Sequence, residues 1–485
     1  MKARASPNAR ALTTTLVSSL ALLLGSSTAE AAGLFTADRG VRPLGRGGAF
    51  VAGADDLGAI WYNPAGLADA GTTLFIDLAW MNFSSEYKRR TQVADGGGTI
   101  RTYEYPKVDG TTPFLPIPTL GGTYNWGDKK QYTFGAGILA PMASIASYPL
   151  TVNGQPSPSR YSLVSLDGSA LAVIGTYFAY KPIEQIRIGG GLQMLAGTFQ
   201  SKVVFSASPP DRLISAPEDP AYDSLSQLTV GPIFAPSANF GIIAEPEKHI
   251  RIGLSGQLPF WINAPAKIKV RLPNAAVFDK ATQDGEDARV RFKLPPILRA
   301  GVEYRTTLDN EQWVRIEVAY VREFWSLHES IDVRPENVKL HNITGFPSPF
   351  GVAPISLPRH FQDSNSFRLG GEYSTKSIFT SNRTDFRAGV SYETSGIPEE
   401  WVSPLTYDAN KIIGGVGASL HAGEHWRLDA VAALVLLSGT QVAPDKAKVP
   451  RVNPVQGNPT ATESINGGEY SARAIILGVG AQYRF

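Results

Sequence analysis

The sequence predicts an all-β protein: a fourteen-stranded antiparallel transmembrane β-barrel with an N-terminal hatch, or plug, inside its lumen. Three observations lead there. The chain opens like an export signal, its body alternates polar and apolar residues with period two, and its connections alternate between very short and long.

The start comes first. Lys2, Arg4 and Arg10 precede the apolar stretch "ALTTTLVSSLALLLG", and Ala29-Glu30-Ala31 supplies a small-x-small cleavage pattern. Residues 1–31 therefore read as a signal peptide, with the mature chain starting at Ala32. Beyond it no apolar run reaches the length of about 18 residues that a spanning helix needs, which leaves a soluble exported protein or an outer-membrane barrel. The composition agrees with either. Lys and Arg number 45 against 43 Asp and Glu, so the net charge of +2 offers no basic field for nucleic acid. With no cysteine there is no disulfide framework, thiolate metal site or Cys-linked lipid.

Strand candidates follow in order over 72–89, 119–126, 131–142, 160–182, 186–207, 227–249, 250–273, 288–308, 312–335, 359–376, 384–398, 410–426, 427–447 and 469–485. The last shows the pattern plainly. Ile475, Leu477, Val479, Ala481, Tyr483 and Phe485 share one face, and Ala474, Ile476, Gly478, Gly480, Gln482 and Arg484 the other. In "VRIEVAY" Val314, Ile316, Val318 and Tyr320 oppose Arg315, Glu317 and Ala319; in "ARVRFKL" Val290, Phe292 and Leu294 oppose Arg289, Arg291 and Lys293. Alternation alone fits a soluble sheet as well as a barrel whose apolar face meets lipid. Length separates them: many candidates run past the five or six residues typical of soluble strands, and a tilted strand crosses a bilayer in about 9–11.

The connections decide it. Tight turns at 127–130, 182–185, 245–249, 309–312 and 422–425 alternate with long Pro- and Gly-rich segments at 90–118, 143–159, 208–226, 274–287, 336–358, 399–409 and 446–468. Short inner turns alternating with long outer loops mark an outer-membrane barrel. The terminal Phe485 in "YRF" resembles the assembly signal of such proteins.

A fourteen-strand lumen is too wide for its own wall to fill, so it is plugged or open. Residues 32–71 have no strand role and are mostly small, which suits a hatch; 72–485 is then the barrel. Within the hatch, "IWYNPAGL" holds an Asn-Pro turn, with proline fixing φ and Asn able to bond nearby backbone.

The run "AGLFTADRGVRPLGRGGAFVAGADDLGAIWYNPAGL" resembles the N-terminal hatch of the long-chain fatty-acid transporter family of the outer membrane, the FadL/TodX type. The matching features are Ala32-Gly33, the "LGRGGAFVAGADD" run with Asp55-Asp56, and Asn63-Pro64-Ala65 extended by Gly66-Leu67; "TFGAGILAP" at 133–141 is similar to the family's third strand. The resemblance implies passive uptake of hydrophobic compounds, captured among outer loops, held in a pocket above the hatch and released sideways through a kink in that strand. It implies gating by Asn63, Pro64, Ala65, Gly66 and Leu67, with the kink near Gly135, Gly137 and Pro141 touched by Asn63. Proline and glycine there suit an interruption.

Other motifs carry less. "GAGILA" at 135–140 mimics a dinucleotide fingerprint but opens no helix. His421 and His425 have i, i+4 spacing on a turn, without a third zinc ligand, and "TQDGED" at 282–287 reads as a solvated acidic loop. No nucleophile elbow appears, so no enzyme is expected, and no metal or cofactor. Arg289, Arg291, Lys293 and Arg315, read as lumen-facing, are candidates for a ligand carboxylate. The expected partners are a hydrophobic small molecule, outer-membrane lipid and lipopolysaccharide, and the assembly machinery, around a monomer in the bacterial outer membrane. A polar-solute porin and a structural or adhesion barrel are the alternatives.

Overall fold

The computed structural model describes residues 35–36, 38–94, 99–112, 116–140, 142–143, 146–207, 218–309, 312–376, 382–453 and 464–485. The signal segment expected at 1–31 lies outside the described residues. Fourteen antiparallel strands close into a barrel. They are β1 (Thr73–Ala94), β2 (Pro116–Trp126), β3 (Tyr132–Leu139), β4 (Ala170–Ile183), β5 (Ile186–Ser206) and β6 (Asp223–Glu247). Next come β7 (Ile250–Gln257, then Phe260–Arg271), β8 (Asp287–Leu294, then Ile297–Thr307) and β9 (Trp313–Glu323, then Ser330–Pro335). The circuit ends with β10 (Ser364–Lys376), β11 (Arg383–Glu393), β12 (Lys411–Ala422), β13 (Trp426–Leu437) and β14 (Gly468–Arg484). Closure is long: β14 pairs with β1 from Thr73 opposite Arg484 to Arg89 opposite Gly468.

The polarity of each face follows from what it meets. On β14 Ile475, Leu477 and Val479 are exposed to the lipid side, while Ala474 and Ile476 are buried inside. On β9 Ile316 and Val318 point out, whereas Arg315 and Glu317 are fully buried in the lumen. At the short-turn end Trp126, Tyr132, Phe178 and Tyr180 pack ring against ring, and Tyr483 contacts Trp426 and Phe485. Aromatic girdles of this kind sit at the membrane–water boundary. The backbone N–H of Phe485 donates to Thr72 at 3.1 Å, joining the end of the chain to the start of the wall.

Two expectations need correction. The strand expected over 160–182 begins only at Ala170, because Arg160 and Tyr161 turn into a cluster with Asp223, both bonding its carboxylate. More important, the faces of "ARVRFKL" are reversed. Ala288 and Val290 are buried in the interior with Phe260, Ile262 and Ala264, while Arg291 and Lys293 are exposed outside and Arg289 pairs there with Glu336. The outer parts of β7, β8 and β9 rise past the bilayer, so their outer face meets water and their inner face meets an apolar lumen. Above the membrane the polarity rule inverts.

The cysteine-free chain makes this checkable. Cysteine at Arg291 or Lys293 should react with a membrane-impermeant maleimide on intact cells, and cysteine at Val290 should not. Labelling of Val290→Cys with protection of the other two would restore the opposite orientation.

Candidate functional site

The lumen is filled by residues 38–71, nearly all buried. Their small residues allow close approach to the wall. Gly47 has φ of 58°, and a Cβ there would stand 2.5 Å from the backbone nitrogen of Val390 in β11, so glycine answers both the conformation and the contact.

Charge holds this hatch in place. Glu317 of β9 accepts the backbone N–H groups of Val51, Ala52 and Gly53 at 2.6, 2.9 and 3.0 Å. Arg46 donates to Glu303 and Glu317 at 2.9 and 3.0 Å. Arg42 reaches Asp55, Asp56 and Glu372, the last at 3.0 Å, and Arg315 joins Asp55 at 2.8 Å to Glu372 at 2.5 Å. Arg427 of β13 bonds Asp56 at 2.8 Å, and Asp69 takes Arg187 and Arg251 at 2.9 Å each. Burial by itself raises the pKa of Asp56, but Arg427 and Arg42 outweigh it and hold the carboxyl below its usual range. Buried charges this well paired clasp the plug to six wall strands, and removal of one partner leaves the other uncompensated.

The Asn-Pro turn belongs to the same device. Asn63 Oδ1 accepts from Ala65 at the start of the 3₁₀ turn Pro64–Asp69, while its Nδ2 donates to Val51 at 2.9 Å and to the Ile242 carbonyl of β6 at 3.2 Å. Asn63 thus touches β6, which corrects the expected contact with the third strand. Pro64 and Ala65 lie against Gly189 of β5, Gly66 against Ala54, and Leu67 against Gly135 of β3.

Gly135 and Gly137 are not where β3 breaks. Both lie in fully paired wall, opposite Thr123 and Gly121 on one side and Tyr177 and Gly175 on the other. They admit Leu67 and Ile60 of the hatch. Ladder pairing stops at Leu139, with one further bond from the Ala140 N–H to the Pro118 carbonyl of β2 at 3.0 Å. Met142–Ala143 pair instead with Phe35–Thr36 of the N-terminal segment, and at Ser147 the chain is back between Thr111 and Ser165. The departure from the wall therefore lies beyond Leu139, and Pro141 falls outside the described residues.

Above the hatch the interior is apolar. Ile60, Trp61 and Leu67 form one buried cluster with Leu139, Val173, Leu195, Ile233, Phe260 and Val290. At its floor Arg39 stacks 3.6 Å over the ring of Trp61, with Arg299 5.0 Å from that ring. Nε and Nη1 of Arg39 and Nη2 of Arg299 have no hydrogen-bond partner among the described residues. Burial pushes the Arg39 pKa down to about 9, which leaves it protonated at neutral pH. Between Arg39, Trp61, Phe260 and Trp325 lies a cavity of about 40 Å³.

Of the four carboxylate candidates, Arg315 is spent on the clasp, and Arg289, Arg291 and Lys293 face outward. Arg39 and Arg299 went unnoticed in the sequence, although each stands beside a small or aliphatic run that could have marked it as a buried cation. His421 bonds Asp385 at 2.8 Å, and His425 bonds the Arg484 carbonyl at 2.7 Å, so different partners hold the two rings.

Comparison with known proteins places this architecture. The family model described as outer membrane protein transport protein (OMPP1/FadL/TodX) matches residues 22–485. The chain belongs to that family. It is accordingly a bacterial outer-membrane transport protein and not an enzyme. Among solved structures, a Pseudomonas aeruginosa FadL homologue superposes with a TM-score of 0.68 at 14% identity, over 93% of this chain and 100% of that one. The toluene transporter TodX of P. putida gives 0.57 at 14% identity, over 91% and 99%. The Ralstonia pickettii toluene transporter TbuX gives 0.55 at 17%, over 92% and 98%. No curated protein sequence matches. At these identities the likeness is one of fold, and within this OMPP1/FadL/TodX member the clasp must be judged on its own chemistry.

Glu317→Ala removes the acceptor of three N–H groups and one guanidinium, a loss of about 3–5 kcal/mol for a broken buried pair. The heat-modifiable barrel should persist while a cysteine placed at Ala52 becomes reactive. Unaltered protection of that cysteine would mean that another contact holds the hatch.

Proposed function

We propose that this protein carries hydrophobic compounds passively across the outer membrane, and that its preferred cargo is a long-chain amphiphile with an anionic head, such as a fatty acid. The observation that carries the reading is the apolar chamber with two buried, incompletely bonded guanidinium groups at its floor. An acyl chain gains about 0.8 kcal/mol per buried CH₂ in such a chamber, and a carboxylate supplies the acceptors that Arg39 and Arg299 lack. The relatives named for toluene transport extend the cargo class to hydrocarbons, which need no cation.

The cargo enters through the outer loops and the apolar rim of β7, β8 and β9, descends to the floor beside Trp61, and leaves sideways between β2 and β4, where β3 stops. Leu139 lines the chamber and is also the last wall-paired residue of β3, which supports that route. Release into the bilayer keeps the chain in an apolar medium, whereas release into water would forfeit its burial. A clasped hatch speaks against an open polar pore. The barrel acts as a monomer, set in lipid and lipopolysaccharide after insertion by the outer-membrane assembly machinery. The first 31 residues serve as its export signal.

Two variants test this. Arg39→Met should weaken oleate binding about 10–100-fold, the worth of a charge-assisted hydrogen bond, and leave toluene binding unchanged. Equal loss for both, or for neither, removes the anionic-head assignment. Ala140→Trp should block the exit, lowering oleate uptake several-fold while binding persists. Undiminished uptake by a correctly folded variant would send the cargo elsewhere.

A further inference from the structure

β6 and β7 pair normally at both ends and not in between. Near the inner end Asn239 stands opposite Gln257 and Leu258 donates to Ala238 at 2.9 Å; near the outer end Val230 stands opposite Ala266. The register is the same at both ends, so Gly231–Ser237 and Pro259–Pro265 face each other across a seam without ladder pairing. The cause lies in the faces. On β6 the buried positions are Val230, then Ile233, Ala235 and Asn239: the inward parity changes at Gly231–Pro232. On β7 they are Ser255 and Gln257, then Phe260, Ile262 and Ala264, with the change at Leu258–Pro259. The two strands thus switch faces at different levels. Between those levels opposite residues point to opposite sides, Ala235 in against Trp261 out and Phe234 out against Ile262 in, and an antiparallel ladder cannot form.

Proline reinforces the gap. By the alternation that Ala238 sets, Phe234 and Pro236 turn their backbone groups toward the seam. Ile268 donates to Glu286 on the β8 side, so Trp261, Asn263 and Pro265 turn theirs toward β6. Pro236 and Pro265, with Pro232 at the outer end, have no N–H to offer. On the outside the seam is bordered by exposed Leu192, Phe234, Leu258 and Trp261, followed by Asn263, Lys267 and Lys269. It therefore sits where the apolar band of the barrel gives way to the polar outer boundary. Inside it is lined by Ile233, Ala235, Phe260, Ile262 and Ala264, all members of the chamber cluster that includes Trp61 and Leu139.

We propose that the β6–β7 seam is a second lateral gate, through which hydrophobic compounds dissolved in the outer leaflet of the membrane enter the chamber directly. The proposal rests on the uptake reading above and adds a route of access distinct from the loops and from the break after Leu139. Small side chains at Ala235 and Ala264 part without breaking ladder hydrogen bonds, so opening costs side-chain packing and the bond from the Ser237 hydroxyl to the Leu258 carbonyl at 2.8 Å. The 40 Å³ cavity beside Phe260 then widens as that ring swings with the strand.

The test ties the seam shut. Ala235→Cys/Ile262→Cys adds the protein's only thiols, on inward residues diagonal across the gap, and oxidation or a short bis-maleimide joins them. With oleate incorporated into the membrane as the probe, the cross-linked protein should transfer it to the chamber at least five-fold more slowly, with reductant restoring the rate for the disulfide form. An unchanged rate in fully cross-linked protein overturns the gate. No oleate transfer by the uncrosslinked parent would instead count against the uptake reading itself. Amide exchange in lipid nanodiscs gives a second measurement. Phe234, Trp261 and Asn263 should exchange at least a hundred-fold faster than Gly241 and Leu254 in the paired wall. Equal protection would show a bonded seam and overturn the proposal without any transport assay.

Discussion

In hydrocarbon, a backbone N–H or C=O without a partner costs several kcal/mol, and the architecture of this protein follows from how that demand is met. A closed barrel meets it everywhere by strand pairing. The lateral routes proposed above need places where pairing fails, so each lapse has to be covered by something else. Beyond Leu139 the cover is the N-terminal segment, because Met142–Ala143 pair with Phe35–Thr36. At the β6–β7 seam Pro236 and Pro265 remove two of the donors instead of satisfying them. The two solutions differ physically, and only the first depends on the hatch.

That dependence explains why the hatch is clasped by charges and not merely packed. A plug of small residues buries little area per residue, so hydrophobic contact alone fixes it weakly. Glu317 receiving three successive N–H groups, with Arg42, Arg46 and Arg315 between paired carboxylates, imposes a single position. Buried ion pairs add little net stability but strongly disfavour displacement that would strand one charge. A positioned hatch in turn holds Phe35–Thr36 beside the break in β3, and presents Trp61 and Arg39 as the floor of the chamber.

Much of the barrel was legible because its signal is local. Alternation in "VRIEVAY" and in the last strand names a lipid face, and turn lengths name the inner and outer ends. The Asn-Pro-Ala turn was visible as a motif, yet its partner was not. Asn63 bonds Ile242 and the glycines of β3 receive Leu67 and Ile60, pairings that arise only when distant strands surround the hatch. The clasp was illegible for the same reason: Arg46 and Glu303 are 257 positions apart. Arg289, Arg291 and Lys293 show a different limit. Period two separates two faces but does not say which solvent each meets, and above the bilayer the outer solvent becomes water.

The same limit hides the seam. Each strand on its own reads as regular, with one change of parity marked by a proline, at Pro232 or Pro259. A bulge of that kind is ordinary at a barrel rim. The consequence appears only when the strands are set side by side, since two changes at one level would cancel and leave the ladder intact. Here they are offset, so the wall is continuous in register but broken in facing. An offset of this kind needs no ligand or metal. It converts a stretch of wall from hydrogen-bonded to merely packed, and so lowers the barrier to parting these two strands while the pairings of β6 with β5 and of β7 with β8 persist.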